Sequence, residues 1–150
     1  MKKHIYNSLL AFSGGLFGVS ILFILFYLFI NVAHFKNPLP LVFYGYLITY
    51  LGYSFIEEGI KFLLIKKNIR QFPYSFFLGF GFGIGETILR YPFFEFGAVP
   101  LRRIWAILLH IITAGIIGYF AKKGKPALGL LIAIVLHTGF NLFIEYTFYK

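Results

Sequence analysis

The sequence predicts an all-α fold, a polytopic bundle of about five transmembrane helices. Of its 150 residues, 59% are hydrophobic and only 13% are charged, a balance that water-soluble domains of this size do not have. The apolar residues also come in long blocks. Each block is near the roughly 20 residues that cross a hydrocarbon core about 30 Å thick. Helices are the expected form of these blocks because lipid offers the backbone no hydrogen-bond partners.

The first two predicted spans are the longest. The first covers about residues 9–33 and follows a short basic start, Met1-Lys2-Lys3-His4. It is longer than the core of a signal peptide, and no small-x-small cleavage site follows it, so we expect it to be retained. Asn37-Pro38 then interrupts the chain, and the second span covers about residues 39–65.

The remaining spans are shorter and are bounded by proline and basic residues. They cover about residues 74–89, 104–120 and 127–148. The second and fourth connections, 66–73 and 122–126, are brief, whereas the third, 90–103, is long enough to have structure of its own. No internal repeat or low-complexity linker divides the chain, which predicts a single domain over residues 1–150.

The positive charge is concentrated at the ends of the spans. The formal net charge is +9, and most cations lie between apolar blocks, where they set topology and contact lipid headgroups. We therefore expect the lipid bilayer as a partner and no nucleic acid. With the N-terminus inside, the inner segments hold more Lys and Arg than the outer ones, which favours a cytoplasmic N-terminus in the cell membrane. Arg102 and Arg103 are expected to anchor the fourth span at the headgroups, with docking of a substrate carboxylate as an alternative.

Pairs of glycines four residues apart predict where helices touch, because small residues let two backbones approach closely in a bilayer. The pairs are Gly14 with Gly18, Gly79 with Gly83, and Gly81 with Gly85. The alternating glycines of 79–85 superficially resemble a phosphate-binding loop, but such a loop needs a preceding strand in a soluble βαβ unit. Helix packing is the expected role.

Several ionisable residues fall inside the predicted spans, where a charge costs about 3 kcal/mol or more. They are Glu57, Glu58, Lys61, Glu86, His110, His137 and, near a span end, Glu145. Counted at 1.5 Å per residue, the Glu and His residues on four different spans lie about 13–20 Å from the inner ends of those spans. Local ion pairing on one helix explains Lys61, but it does not explain this common depth. The depth predicts a polar active-site cavity within the membrane.

Carboxylates and imidazoles in such a cavity are suited to the activation of water. A glutamate can act as general base or acid, and a histidine can hold the water, donate to an oxyanion or bind a metal. Glu57, Glu86, His110 and His137 would also suit Zn²⁺ as an N2O2 site. The chain lacks the His-Glu-x-x-His signature of zinc proteases and has no cysteine, so water activated without a metal is favoured and zinc stays open.

His137 and Asn141 are four residues apart and therefore share one helix face. An imidazole and a carboxamide at one point can donate to a developing oxyanion. The alternative is a polar pair that holds two helices together in the membrane.

These motifs together resemble the PrsW family of intramembrane proteases, which is related to the CAAX prenyl proteases and the bacteriocin-processing or immunity (CPBP, or Abi) membrane proteins. EEGIK at 57–61 matches Glu-Glu-x-x-Lys, and FGIGE at 82–86 matches Phe-x-x-x-Glu. HTGFN at 137–141 matches His-x-x-x-Asn/Asp, and His110 follows the paired arginines. The resemblance covers about residues 54–143. Glu86 stands where CAAX-type relatives usually have His, which makes PrsW the closer likeness.

The resemblance implies hydrolysis of a peptide bond in a membrane-anchored protein or peptide. It implies Glu57 as the water-activating base and Glu58 as its helper or as the partner of Lys61. Glu86 and His110 would position the water, and the pair His137 and Asn141 would stabilise the oxyanion. Two alternatives stay open: a non-catalytic membrane protein that binds a peptide or confers immunity on the same fold, and a proton-coupled carrier.

Overall fold

A computed structural model of the chain contains five α-helices among the residues that it describes, 2–32, 42–68, 72–90 and 101–148. The helices are α1 (Lys2–Val32), α2 (Val42–Asn68), α3 (Phe72–Arg90), α4 (Leu101–Lys122) and α5 (Pro126–Phe148). The all-α bundle is therefore as predicted. The predicted Asn37-Pro38 break and the long third connection lie outside the described residues.

The observed helices follow the apolar blocks closely, with one larger difference at the start of the chain. The last four begin and end within about three residues of the predicted spans, but α1 begins at Lys2 rather than at residue 9. Hydropathy identifies only the apolar part of a helix, whereas the helix itself extends as far as its backbone hydrogen bonds continue. The basic and polar residues before Leu9 therefore extend α1 beyond its apolar block.

The helices pack in the order α1, α3, α4, α5 and α2, and α2 also touches α1, so the described helices close into a ring. The tightest packing surrounds α3. A Cβ added at Gly81 would collide with the carbonyl of Phe12 on α1, and one added at Gly79 would collide with the carbonyl of His110 on α4. The predicted packing role of these glycines is confirmed. On α1, however, Gly15 rather than Gly14 meets the α3 backbone, because Gly14 faces open space.

The turn between α4 and α5 lies where the sequence predicts a break. Gly124 has φ +73°, which favours glycine, and the N–H groups of Gly124 and Lys125 donate to the carbonyls of Ala121 and Phe120 at 3.1 and 2.9 Å. This double hydrogen bond is a Schellman cap, and Pro126 then begins α5. The cap makes α4 and α5 antiparallel neighbours, which brings His110 and His137 together.

The bundle is apolar outside, and its interior holds polar side chains beside apolar clusters such as that of Leu78 and Ile117. Ile48, Leu63 and Val135 are among many large apolar side chains on the surface, whereas Lys61 is the largest fully buried side chain among the described residues. Three helical segments in the described part of the chain are long and apolar enough to cross a membrane: Lys3–Ile24, Arg103–Lys122 and Pro126–Thr147. This pattern reverses that of a water-soluble domain and indicates membrane association.

Candidate active site

Five of the predicted site residues meet in the centre of the bundle. Together with Lys61 they form what we call the Glu–His cluster: Glu57, Glu58 and Lys61 of α2, Glu86 of α3, His110 of α4 and His137 of α5. All six side chains are buried. The residues that were predicted from residue counts to lie at one depth are therefore in contact, although they come from four helices.

The two adjacent glutamates face different surroundings. Successive residues of a helix point about 100° apart, so neighbours cannot share one environment. Glu57 lines a cleft, whereas Glu58 is fully enclosed behind it. Glu58 Oε1 accepts hydrogen bonds from Lys61 Nζ at 2.6 Å and Thr113 Oγ1 at 3.2 Å, and His137 Nδ1 lies 2.6 Å away. Three donors around one oxygen are the surroundings that suit a charged carboxylate.

Lys61 joins α2 to α4 in addition to its local pairing. Its ammonium donates to Glu58 within the helix, to His110 Nδ1 at 2.8 Å and to Thr113 Oγ1 at 3.1 Å. The Phe82 ring lies beneath it, with the centroid 4.9 Å from Nζ. An ammonium has three N–H donors, and each has one polar acceptor here. The sequence predicted only the ion pair within α2. The length of the lysine side chain, which can reach a neighbouring helix, was the one sign of these further contacts.

The two histidines have opposite hydrogen-bonding arrangements. His110 Nδ1 accepts from Lys61, so its proton belongs on Nε2, which donates to Glu86 Oε2 at 2.6 Å. His137 Nδ1 lies against Glu58, which can only accept, so this nitrogen carries the proton. The other nitrogen of His137, Nε2, lies 3.4 Å from Glu57 Oε2, and two such acceptors can face each other only with a proton on one of them or a water between them. The imidazoles pack edge to face with centroids 5.1 Å apart.

A cleft of about 470 Å³ opens beside the cluster. Glu57, Glu86, His110 and His137 line its inner end. The predicted residue Asn141 lines the same cleft one helical turn beyond His137, which fits a wall position near the cluster.

The outer part of the cleft holds polar residues that sequence reasoning did not place there. They are Tyr50, Tyr53, Arg103 and Glu145. Tyr50 donates to Glu145 Oε2 at 2.9 Å and so ties α2 to α5. Arg103, expected to anchor the fourth span at the headgroups or alternatively to dock a substrate carboxylate, lines the cleft, and the side chain of Arg102 lies outside the described residues. Tyr53 lies about one turn from a cluster residue on its own helix and the other three about two turns, a spacing that could have indicated them.

The predicted metal ligands come together only in part. Glu57, His110 and His137 each offer an atom within 4.8 Å of the others, and Glu86 is not in that group. Both nitrogens of His110 are already engaged, one by the Lys61 ammonium and the other by Glu86. A cation bound through His110 would have to displace one of these partners. The donor set therefore fits a metal poorly.

No family model matches the chain, and neither a curated protein nor a solved structure matches it.

Proposed function

We propose that this protein is a membrane-embedded peptidase, similar to PrsW proteases, that hydrolyses a peptide bond of a membrane-anchored protein or peptide. One observation carries the proposal. In a cleft between helices, Nε2 of His137 lies 3.4 Å from the carboxylate of Glu57, with the other members of the Glu–His cluster around them. The order of the sequence motifs supports the same function.

We also propose the setting. All five helices cross the membrane, the cleft is a polar active-site cavity within it, and the N-terminus is cytoplasmic in the cell membrane. Glu57, Glu58 and Lys61 lower the hydropathy of α2, but these three side chains are buried against other helices rather than exposed to lipid. Their cost to membrane insertion is offset by the partners that they meet inside the bundle.

The proposed reaction begins with a water molecule beside Glu57 and His137. The pair accepts one proton, and the resulting hydroxide attacks the carbonyl carbon of the substrate. The Asn141 amide donates to the oxyanion, joined by His137 once Nε2 is protonated. Glu86, held in place by the Nε2–H of His110, positions the attacking water. When the C–N bond breaks, the proton passes to the leaving amine.

The test is cleavage of a membrane-anchored reporter peptide by purified protein in detergent or liposomes. We expect Glu57→Gln and His137→Ala each to lower the rate by about 10²–10⁴-fold, the usual contribution of general acid–base groups. His4→Ala is the matched histidine control, because His4 bonds to Tyr74 away from the cleft and its loss leaves the site intact. Cleavage by both variants at the wild-type rate would refute the assignment of Glu57 and His137 to the active site.

Two other outcomes identify the alternatives. Retained peptide binding without hydrolysis by the wild-type protein would indicate a binding or immunity protein. Proton flux in liposomes would indicate a carrier. If cleavage is found, comparing membrane peptides from cells that make wild-type protein or Glu57→Gln by mass spectrometry identifies the substrate and its cut site.

We propose that the water is activated without a metal, because both ring nitrogens of His110 are already hydrogen-bonded. The hydrolysis rate is therefore expected to stay unchanged, within about twofold, after treatment with a zinc chelator such as 1,10-phenanthroline. Added ZnCl₂ should not raise it, and metal analysis of active protein checks the result. Loss of activity with the chelator, restored by stoichiometric zinc, would establish the metal alternative.

A further inference from the structure

We propose that Lys61 is a positioning residue that fixes the protonation pattern of both histidines in the cluster. Its effect on the chemistry rests on the proposed peptidase function. Its effect on the histidines does not, since it follows from which donors and acceptors face each ring nitrogen.

The direct effect is on His110. An ammonium can only donate, so the ring nitrogen 2.8 Å from Lys61 Nζ must be an acceptor. A proton on that nitrogen would bring two positive donors together in a site that is buried from solvent. His110 is therefore held neutral, with its one proton on Nε2 and directed at Glu86.

The indirect effect on His137 passes through Glu58. Lys61 forms an ion pair with Glu58 and also donates to Thr113, whose own hydroxyl donates to the same Glu58 oxygen. These contacts keep Glu58 in place as an acceptor for His137 Nδ1–H. The lone pair of His137 then lies on Nε2, on the side of Glu57.

A single buried ammonium thus gives the two imidazoles different tasks. His110 becomes a fixed donor to Glu86, and His137 becomes the histidine able to accept a proton beside Glu57. Without Lys61, Nδ1 of His110 would lose its donor, only Glu86 would still orient the ring, and Glu58 would lose its charged partner. Glu57, the proposed base, would then lie beside a His137 ring that the Lys61–Glu58 ion pair no longer holds in place.

Nitrogen chemical shifts of histidine-labelled protein at neutral pH test this directly, because they distinguish protonated from bare ring nitrogens. In the wild type we expect the proton of His110 on Nε2 and that of His137 on Nδ1. Lys61→Arg keeps a cationic donor and should keep this pattern, whereas Lys61→Met should shift the Nδ1 resonance of His110, because that nitrogen loses its donor. Lys123→Met removes an exposed lysine at the α4–α5 turn and is the matched control.

The wild-type spectrum alone can overturn the proposal, since a proton on Nδ1 of His110 contradicts it. Unchanged His110 shifts in Lys61→Met would do the same. If that variant fails to fold, Lys61→Met combined with Glu58→Gln removes both charges and leaves the His110 measurement valid.

The kinetic arm separates this role from the proposed function. Lys61→Met should lower kcat by about 10–100-fold with little change in KM, a range taken from the partners of metal-ligating histidines, whose rings are oriented in the same way. Lys61→Arg should recover most of the activity. If no hydrolysis is found at all, the proposed function fails while the tautomer result stands. If hydrolysis is found with the tautomers reversed, only the role of Lys61 fails.

Discussion

The helices α2 and α3 both contribute carboxylates to the cluster, but they are held in the bundle by different forces. Glycines let α3 approach α1 and α4 to within backbone contact. In α2, a Cβ added at Gly52 or Gly59 would meet no neighbouring atom, and besides the apolar packing of Ile65 the helix is joined to α4 and α5 by the hydrogen bonds of Glu58 and Lys61. Shape fixes one helix and charge fixes the other. The comparison shows that α2 depends more than α3 does on a few buried polar contacts.

The largest expected effect is on the side held by charge. Lys61→Met leaves Glu58 as a buried carboxylate without its cation, and such a break costs about 3–5 kcal/mol. We expect a corresponding loss in the free energy of unfolding, measured by denaturant titration in detergent micelles. Combining the change with Glu58→Gln should recover much of the loss, because no charge then remains unpaired. A double variant as unstable as the single one would contradict this account of α2.

A smaller loss is expected on the side held by shape. Gly81→Ala places a methyl group against the Phe12 carbonyl of α1, and overpacking of this kind costs about 1–3 kcal/mol. The matched control is Gly52→Ala in α2, which has open space and should stabilise the helix by about 0.5–1 kcal/mol. Thermal unfolding followed by circular dichroism measures both. If Gly81→Ala and Gly52→Ala changed the stability in the same direction, the contrast between the two helices would be contradicted.

The sequence predicted the helices and the membership of the cluster well, for reasons that can be stated. Apolar blocks bounded by proline and lysine indicate helix ends within a few residues, except at the N-terminus, where Lys2 and Lys3 continue the helix. Residue counting at a fixed rise indicates depth, so Glu86, His110 and His137 could be predicted to lie at one level.

Rotation of each helix about its axis could not be predicted in this way. Depth alone does not reveal that Glu57 and not Glu58 lines the cleft, that Lys61 reaches His110, or that Gly15 replaces Gly14 against α3. These features depend on how neighbouring helices interlock. Thr113 was missed for a related reason, since a single threonine on an apolar helix carries no indication of a distant carboxylate.

The long sequence separation within the cluster has a consequence for synthesis of the protein. His137 follows its partner Glu58 by 79 residues. At a translation rate of about 5–20 residues per second, α2 emerges roughly 4–16 seconds before that partner exists. During this interval, Lys61 three residues further along the same helix is the cation that Glu58 already has at hand. Their local pairing therefore keeps these two charges of α2 partnered until the histidines that complete the cluster have been synthesised.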